Sequence, residues 1–246
     1  MSIISKQSAY AGKIGEARKQ FCKDYINKKE IWIAELSTIL LDSILRSGKS
    51  TPCIKDCIYA TCCNEYVEAN IQEIESIVYY LYNNKIILKS FLNNYEIWKK
   101  KEKKILPIYN EYERLKHKYR ASNFLSEKEL EQFKQILPNQ YYRLNIKCPF
   151  LENNHCLIYN IRPISCSAYY SVGAKTQCHP NSKEMPELVK ADTQKYTRDC
   201  KYYYGKLDHA FYTLLPMGVY NVLNEGYTYL SRIKGIEDIG TVQSSF

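Results

Sequence analysis

Cysteine is the residue type in this 246-residue chain most able to do chemistry, because eight of its ten cysteines form two groups of four. The eight candidate metal ligands are Cys53, Cys57, Cys62, Cys63, Cys148, Cys156, Cys166 and Cys178. Thiolate is a soft ligand, so such a set selects zinc, copper(I) or an iron–sulfur cluster over hard cations. Eight thiolates exceed the four that one zinc takes. The spacing therefore predicts one cluster with a second metal, or two metal centres.

The alternative use of ten cysteines is five disulfides in a secreted protein. The first ten residues lack a cationic stretch leading into an apolar one, which a secretory signal would need. The most apolar stretch, residues 31–45, is interrupted by Glu35 and Asp42 and is too short to cross a bilayer. We therefore expect a cytoplasmic protein without a membrane partner, in which thiols stay reduced and bind metal.

Several residues beside the cysteines have competing interpretations. His155 and His179 adjoin cysteines and could replace a thiolate, but the complete cysteine set makes this the weaker alternative. Cys22 and Cys200 fall in helical stretches and are interpreted as non-ligands. Arg162 precedes a proline, so its first interpretation is a residue that shapes the loop. Its second is a cofactor-binding residue whose planar guanidinium holds a carboxylate or phosphate.

The second cysteine group resembles the signature of a known family. It reads Cys148-Pro149-Phe150-Leu151, then Cys156, Ile158-Tyr159, Arg162-Pro163 and Cys166. This pattern is similar to the YkgJ-like, CxxCxxCC-type cysteine-cluster family, which is described as zinc- or iron-chelating and is related to the flagellin lysine N-methylases. The first group, residues 53–63, keeps the order and the final cysteine pair of that pattern with wider gaps. The resemblance covers under a third of the chain.

The resemblance implies an iron–sulfur protein, with [4Fe–4S] favoured over zinc, that acts on a peptide, a protein or a small-molecule amine. It also implies S-adenosylmethionine as a candidate methyl donor for N-methylation. The sequence has no Gly-rich strand-to-helix loop that would hold this donor in the Rossmann manner. Two alternatives stay open: a non-catalytic zinc- or cluster-binding interaction module, and a metal carrier or redox sensor with exchangeable thiolates.

Composition and charge limit the other functional classes. The hydrophobic fraction of 45% and the charged fraction of 25% are typical of a globular chain and exclude disorder, collagen and coiled coil as the main state. The net charge is +9, but the lysines follow helical stretches such as residues 98–104. No Arg-rich run is interleaved with aromatic residues, so we expect no nucleic-acid partner.

The elements that must position these cysteines are predicted to be mostly helical. We expect a single helical domain over residues 1–246, with two irregular segments, 50–66 and 145–182, that metal organises. The tail at 235–246 is expected to be peripheral. Apolar residues at helical spacing predict the following helices: residues 9–47 with a stop at Gly48, from near Glu65 to Asn83, 86–119, 184–201 and 207–223.

Prolines and a capping motif refine that helical pattern. Pro107 should kink or divide the helix predicted over residues 86–119. Ser126 followed by Glu129 has the spacing of a capping box, which predicts a short helix that ends before Pro138. Residues 142–146 alternate weakly between polar and apolar, and this favours a short strand.

Overall fold

The computed structural model describes residues 15–53, 61–179, 181–182, 186–196 and 212–225, without the side chains of residues 15–18, 61–62 and 175. Within these residues the protein is mostly helical and contains three two-stranded antiparallel ribbons. The mostly helical fold class is thus confirmed. The predictions made for Cys57, Cys200 and the tail 235–246 lie outside the described residues.

The first predicted helix is confirmed over its described part as α1, Gly15–Arg46. Gly48 then takes a φ of 67°, the left-handed conformation that ends helices and that favours glycine. The buried face of α1 carries Tyr25, Trp32 and Leu36. These side chains pack against residues from the second cysteine region, so α1 supports that region directly.

The helix predicted from near Glu65 begins later than expected. A short strand comes first, β1 at Glu68–Asn70, and helix α2 follows at Ile71–Asn83. Asn70 caps α2, since its side chain accepts a hydrogen bond from the N–H of Glu73 at 2.9 Å. The late start has a physical cause: residues 68–70 pair with a distant strand instead of joining the helix.

That distant strand corrects a second prediction. Tyr212–Leu214 form β6, the partner of β1, where a helix over residues 207–223 was expected. Helix α8 then occupies Leu215–Glu225. A Cβ atom added to Gly218 would lie 2.6 Å from the side chain of Ile74, so glycine allows α8 to pack closely on α2.

The helical stretch around Pro107 is divided, but at a different place. Helix α3 spans Lys85–Lys99 and α4 spans Glu102–Ser122, so the break falls at residues 100–101 and Pro107 lies inside α4. A proline inside a helix removes one hydrogen bond to the carbonyl four residues earlier. That carbonyl belongs to Lys103, an exposed residue.

The capping box at Ser126 is confirmed, and it starts helix α5 at Glu127–Glu131. The helix does not end before Pro138. One turn of π-helix at Gln132–Ile136 leads into α6, Leu137–Arg143, so the strand expected over residues 142–146 is also wrong. Pro138 is accommodated because it falls in the first turn of α6, where a missing N–H costs little.

The second cysteine segment is built from short elements. In chain order these are β2 Leu151–Glu152, β3 His155–Cys156, a 3₁₀ turn Tyr159–Ile161, α7 Ile164–Ser167, β4 Tyr169–Val172, a 3₁₀ turn Lys175–Cys178 and β5 Glu187–Lys190. The helix predicted over residues 184–201 is wrong at β5, because this strand pairs with β4. The first segment contributes a 3₁₀ turn, Thr61–Asn64.

Helix α2 lies at the centre of the described body and packs against α1, α3 and α8. The buried residues of α2 include two acidic ones, Glu73 and Glu75, as well as apolar side chains. Of the helices in the described part of the chain, none is both long and apolar enough to cross a membrane.

A separate buried ion-pair cluster fixes α4 on the ribbon of β1 and β6. Lys116 of α4 donates to Glu68 Oε1 at 2.6 Å, to the carboxylate of Glu113 and to the carbonyl of Tyr212 at 3.1 Å. Burial raises the pKa of Glu68, and the Lys116 ammonium opposes that rise. The lysine is thus the centre of this cluster, which we call the Lys116 joint.

Candidate metal centre

Seven cysteine side chains are described, and all seven are thiols. Six of them belong to the predicted ligand set: Cys53, Cys63, Cys148, Cys156, Cys166 and Cys178. The seventh, Cys22, is buried in α1. Cys57 and the side chain of Cys62 lie outside the described residues.

The two cysteine segments meet at Cys63 and Cys148. The N–H of Cys148 donates to the carbonyl of Cys63 at 2.7 Å, although the two residues are far apart in sequence. A second contact lies beside the first, where the Asn64 amide donates to Asn145 Oδ1 at 3.1 Å. Asn145 has a φ of 50°, a turn conformation that asparagine tolerates and that lets the chain leave α6 toward Cys148.

A small hairpin places Cys156 next to this junction. Strands β2 and β3 pair Leu151 with Cys156, and the chain reverses through Asn153 and Asn154, both at positive φ. The hairpin is anchored to α3, because the ring of Phe150 stacks on Phe91 with centroids 4.5 Å apart.

The neighbouring loop carries Arg162, whose guanidinium is buried. Arg162 Nη1 donates to the carbonyl of Tyr159 at 2.8 Å, and the guanidinium carbon lies 3.8 Å from the Tyr159 ring centroid. These contacts agree with the loop-shaping interpretation. Burial raises the pKa of the Cys156 thiol, while the nearby Arg162 charge lowers it. Arg162 therefore supplies positive charge beside the partly buried Cys156 thiol.

Cys166 lies in α7, which begins against a buried carboxylate. Glu73 Oε1 accepts the N–H of Ile164 at 2.7 Å, and Glu73 Oε2 accepts the N–H of Asn70 at 3.2 Å. Lys29 of α1 is fully buried and its ammonium lies 3.6 Å from Glu73 Oε1. One carboxylate thus fixes α1, the start of α2 and the start of the cysteine-bearing helix. We call this cluster the Glu73 joint.

Cys53 and Cys178 approach the same serine. Cys53 Sγ lies 3.2 Å from Ser171 Oγ, and the Cys178 thiol donates to Ser171 Oγ at 3.3 Å. The N–H of Ser171 also donates to Cys53 Sγ at 3.3 Å. Thr51 holds the Cys53 turn in place, since its hydroxyl donates to the carbonyl of Ser171 at 2.7 Å. These two cysteines therefore form a pair on β4.

Tyrosines close to the cysteines make specific polar contacts. Tyr142 donates to the carbonyl of Cys178 at 2.6 Å, and Tyr169 donates to Glu65 Oε2 at 2.6 Å. Burial raises the pKa of Glu65, while the Tyr169 hydrogen bond and Lys190 lower it. Tyr170 donates to Ser37 of α1 at 3.1 Å. The tyrosines thus tie the irregular segments to the helices.

Across the described residues, no three or more cysteine, histidine, aspartate or glutamate side chains are grouped as a metal site requires. Among the six described candidates, Cys63 and Cys148 form the junction and Cys53 and Cys178 form the pair, while Cys156 lies in the hairpin and Cys166 in α7. The two histidines that adjoin cysteines make local contacts. His155 Nδ1 lies 2.7 Å from the carbonyl of Asn153, and His179 Nδ1 accepts the N–H of Asn181 at 3.2 Å.

Sequence reasoning missed Glu73, Lys29 and Ser171. Glu73 had a signal, because Asn70 and Glu73 have the spacing of a capping box. Lys29 lies in a helix rich in exposed lysines, and no pattern separates it from them. Ser171 lies in a strand of only four residues, too short for a reliable pattern.

The fold and site define a mostly helical protein whose two cysteine segments meet on one body. Comparison with protein-family models, with curated proteins and with solved structures found no match in any of the three.

Proposed function

We propose that this chain is an iron–sulfur protein of the YkgJ-like type, which binds a [4Fe–4S] cluster with cysteines from both segments. The observation that carries the proposal is the hydrogen bond from Cys148 to the carbonyl of Cys63. A cluster needs several thiolates from irregular backbone that converges on one place. This contact supports such convergence between segments that are remote in sequence.

The donor chemistry around that contact fits a cluster. The eight cysteines form the pool of donors, and cysteine thiolates are the usual ligands of iron–sulfur clusters. Asn64 Oδ1, one residue from Cys63, is buried and accepts no hydrogen bond from a described residue, so this acceptor suits an N–H group of a substrate beside the cluster rather than the cluster itself. Arg162 places a positive charge beside Cys156, which would offset the negative charge of a thiolate site.

The proposed activity is modification of a peptide, a protein or a small amine, with S-adenosylmethionine as the candidate methyl donor. When bound, a cluster with an open iron position supplies a Lewis acid for amine and carboxylate groups. Arg162 is the residue of this chain proposed to orient a carboxylate. One of its N–H groups is used by Tyr159, and a guanidinium has further donors.

The first experiment is anaerobic purification followed by an absorbance spectrum and analysis for iron, zinc and acid-labile sulfide. A brown protein with about four irons and four sulfides per chain is the expected result. Cys148→Ser should lower the iron content, whereas Cys22→Ser, a buried cysteine in α1, should leave it unchanged. A colourless protein with one or two zincs would contradict the cluster and support the non-catalytic zinc module.

A second experiment separates an enzyme from an interaction module. The holoprotein should bind S-adenosylmethionine in a calorimetric titration and transfer methyl groups to lysine peptides or a small amine. Arg162→Lys keeps the charge but loses the planar fork, so it should weaken binding of a carboxylate ligand while iron content is retained. A holoprotein that binds no donor and methylates nothing would support the interaction module.

A further inference from the structure

We infer that Cys53 and Cys178 form a redox-active dithiol, in which Cys53 is oxidised first and Cys178 resolves it to a disulfide. The inference goes beyond the proposed cluster and does not require it. It removes two cysteines from the donor pool and leaves six for metal.

The geometry behind this inference is a buried hydroxyl shared by two thiols. Ser171 Oγ lies 3.2 Å from Cys53 Sγ and 3.3 Å from Cys178 Sγ. Both sulfurs therefore contact the same hydroxyl group. Disulfide formation requires that this hydroxyl turn aside and that the sulfurs approach to a bond of about 2.05 Å.

The two thiols differ in accessibility, as an attacking and a resolving cysteine should. Cys53 is partly exposed, whereas Cys178 is buried with only 8% of its surface exposed. A peroxide arriving from solvent therefore meets Cys53 first.

The hydrogen bonds give each sulfur a different role. The Cys178 thiol donates to Ser171 Oγ, so the hydroxyl proton of Ser171 can be donated to Cys53. The N–H of Ser171 is a second donor to the same sulfur. Cys53 Sγ thus accepts a hydrogen bond from the Ser171 N–H, and its own thiol donates to the Ser171 carbonyl at 3.9 Å, whereas the Cys178 thiol donates to the Ser171 hydroxyl.

Cys53 is also set apart from the Cys63–Cys148 junction by its packing. Cys53 packs against the apolar cluster of Leu40, Ile44, Tyr170 and Val172. Cys148 and Cys156 pack instead against the main core cluster. The division predicts that oxidation of one group does not need the other.

The chemistry balances with a hydroperoxide as oxidant. The Cys53 sulfur attacks the peroxide, the O–O bond breaks, and Cys53 sulfenic acid and one alcohol or water are formed. The Cys178 sulfur then attacks the sulfenic sulfur, the S–O bond breaks, and water leaves with the Cys178 proton. Two thiols and one peroxide give one disulfide, one alcohol or water, and one further water.

The test treats the full-length protein with one equivalent of hydrogen peroxide, alkylates the remaining thiols and maps them by mass spectrometry. A disulfide joining Cys53 and Cys178 is expected, with Cys22 alkylated as before. In Cys178→Ser, Cys53 should stop at a sulfenic acid that dimedone traps. A disulfide between other cysteines, or no thiol loss at Cys53, would overturn the inference.

A variant that keeps both cysteines guards against misfolding in the cysteine variants. Ser171→Ala removes the hydroxyl between the sulfurs and should accelerate disulfide formation several-fold. The control is Ser167→Ala. Ser167 is a buried serine of α7 whose hydroxyl donates to the carbonyl of Pro163, so this substitution should not change the rate of disulfide formation. An unchanged or slower rate in Ser171→Ala would contradict the bridging role.

Metal analysis separates this inference from the proposed function. Cys53→Ser and Cys178→Ser should keep the iron content of the wild type, whereas Cys148→Ser loses it. If all three lose iron equally, Cys53 and Cys178 are ligands and the dithiol is wrong, while the cluster stands. If the wild type holds no metal, the cluster fails and disulfide mapping alone decides the dithiol.

Discussion

Two buried lysines, Lys29 and Lys116, take part in polar clusters that connect short elements to helices, but the central group differs between the two clusters. At the Glu73 joint the carboxylate is the centre: it accepts two backbone N–H groups and faces Lys29. At the Lys116 joint the lysine is the centre and donates to two carboxylates and a carbonyl.

The two joints also differ in their access to water. The Lys29 side chain is fully buried and that of Glu73 is 4% exposed, whereas the Glu68 and Glu113 side chains are 17% and 19% exposed. A fully buried charge cannot gain water when its partner is removed, whereas a partly exposed charge can be hydrated. The comparison teaches that the joint beneath Cys166 should be the less tolerant of mutation.

The largest effect is expected from Glu73→Ala. This change removes the carboxylate that faces the buried Lys29 ammonium and that accepts the N–H of Ile164. We therefore expect the free energy of unfolding to fall by about 3–5 kcal/mol. The free energy of unfolding, measured by urea titration, gives the result. Glu96→Ala on the exposed side of α3 is the control. A loss as small as the control's would show that Glu73 does not hold α7.

A smaller loss is expected from Lys116→Met, which keeps the length of the side chain without its charge. Glu68 and Glu113 are then left facing each other, but both can gain water, so we expect a loss of about 1–3 kcal/mol. The same urea titration measures it. A loss greater than that of Glu73→Ala would reverse the ranking of the two joints.

The third prediction compares two copies of one local motif. Asn70 with Glu73 and Ser126 with Glu129 both form capping boxes, one buried and one exposed. Ser126→Ala removes the exposed cap and should cost about 1 kcal/mol. The gap between this value and that of Glu73→Ala measures what tertiary burial adds to the motif. Equal losses would mean that the buried contacts of Glu73 contribute nothing beyond local capping.

Helical periodicity predicted much of the helical body, because apolar spacing records which face of a helix is buried. It located α1 and its stop at Gly48, and the spacing of Ser126 and Glu129 located α5. It failed where pairing partners are remote. Residues 68–70 and 212–214 are strands only because they meet each other, and neither segment shows this alone.

The same limit applies to the candidate site. Cysteine spacing identified which residues to consider, but not that Cys63 meets Cys148 or that Cys53 and Cys178 share Ser171. Proline was a second source of error. Pro138 predicts a helix end from sequence alone, yet a π turn places it in the first turn of α6, where proline is tolerated.

The smallest effects are expected in the pH dependence of stability, where Glu68 and Glu129 should act with opposite sign. Burial raises the pKa of Glu68, so its favourable contribution is complete below the usual value of 4.5 and is lost as pH rises through the raised pKa. Hydrogen bonds from Lys118 and Ser126 lower the pKa of Glu129 to about 2, so its contribution is present above 4.5 and is lost as pH falls toward 2.

Urea titrations between about pH 3 and pH 7 on the wild type, Glu68→Gln and Glu129→Gln measure both contributions. The difference in unfolding free energy between wild type and Glu129→Gln should grow as pH rises, because only the charged carboxylate makes the bonds to Lys118 and Ser126. The corresponding difference for Glu68→Gln should shrink over the same range, since a buried charge is penalised. Parallel trends would mean that Glu68 is as well hydrated as Glu129, and the Lys116 joint would then not be a buried cluster.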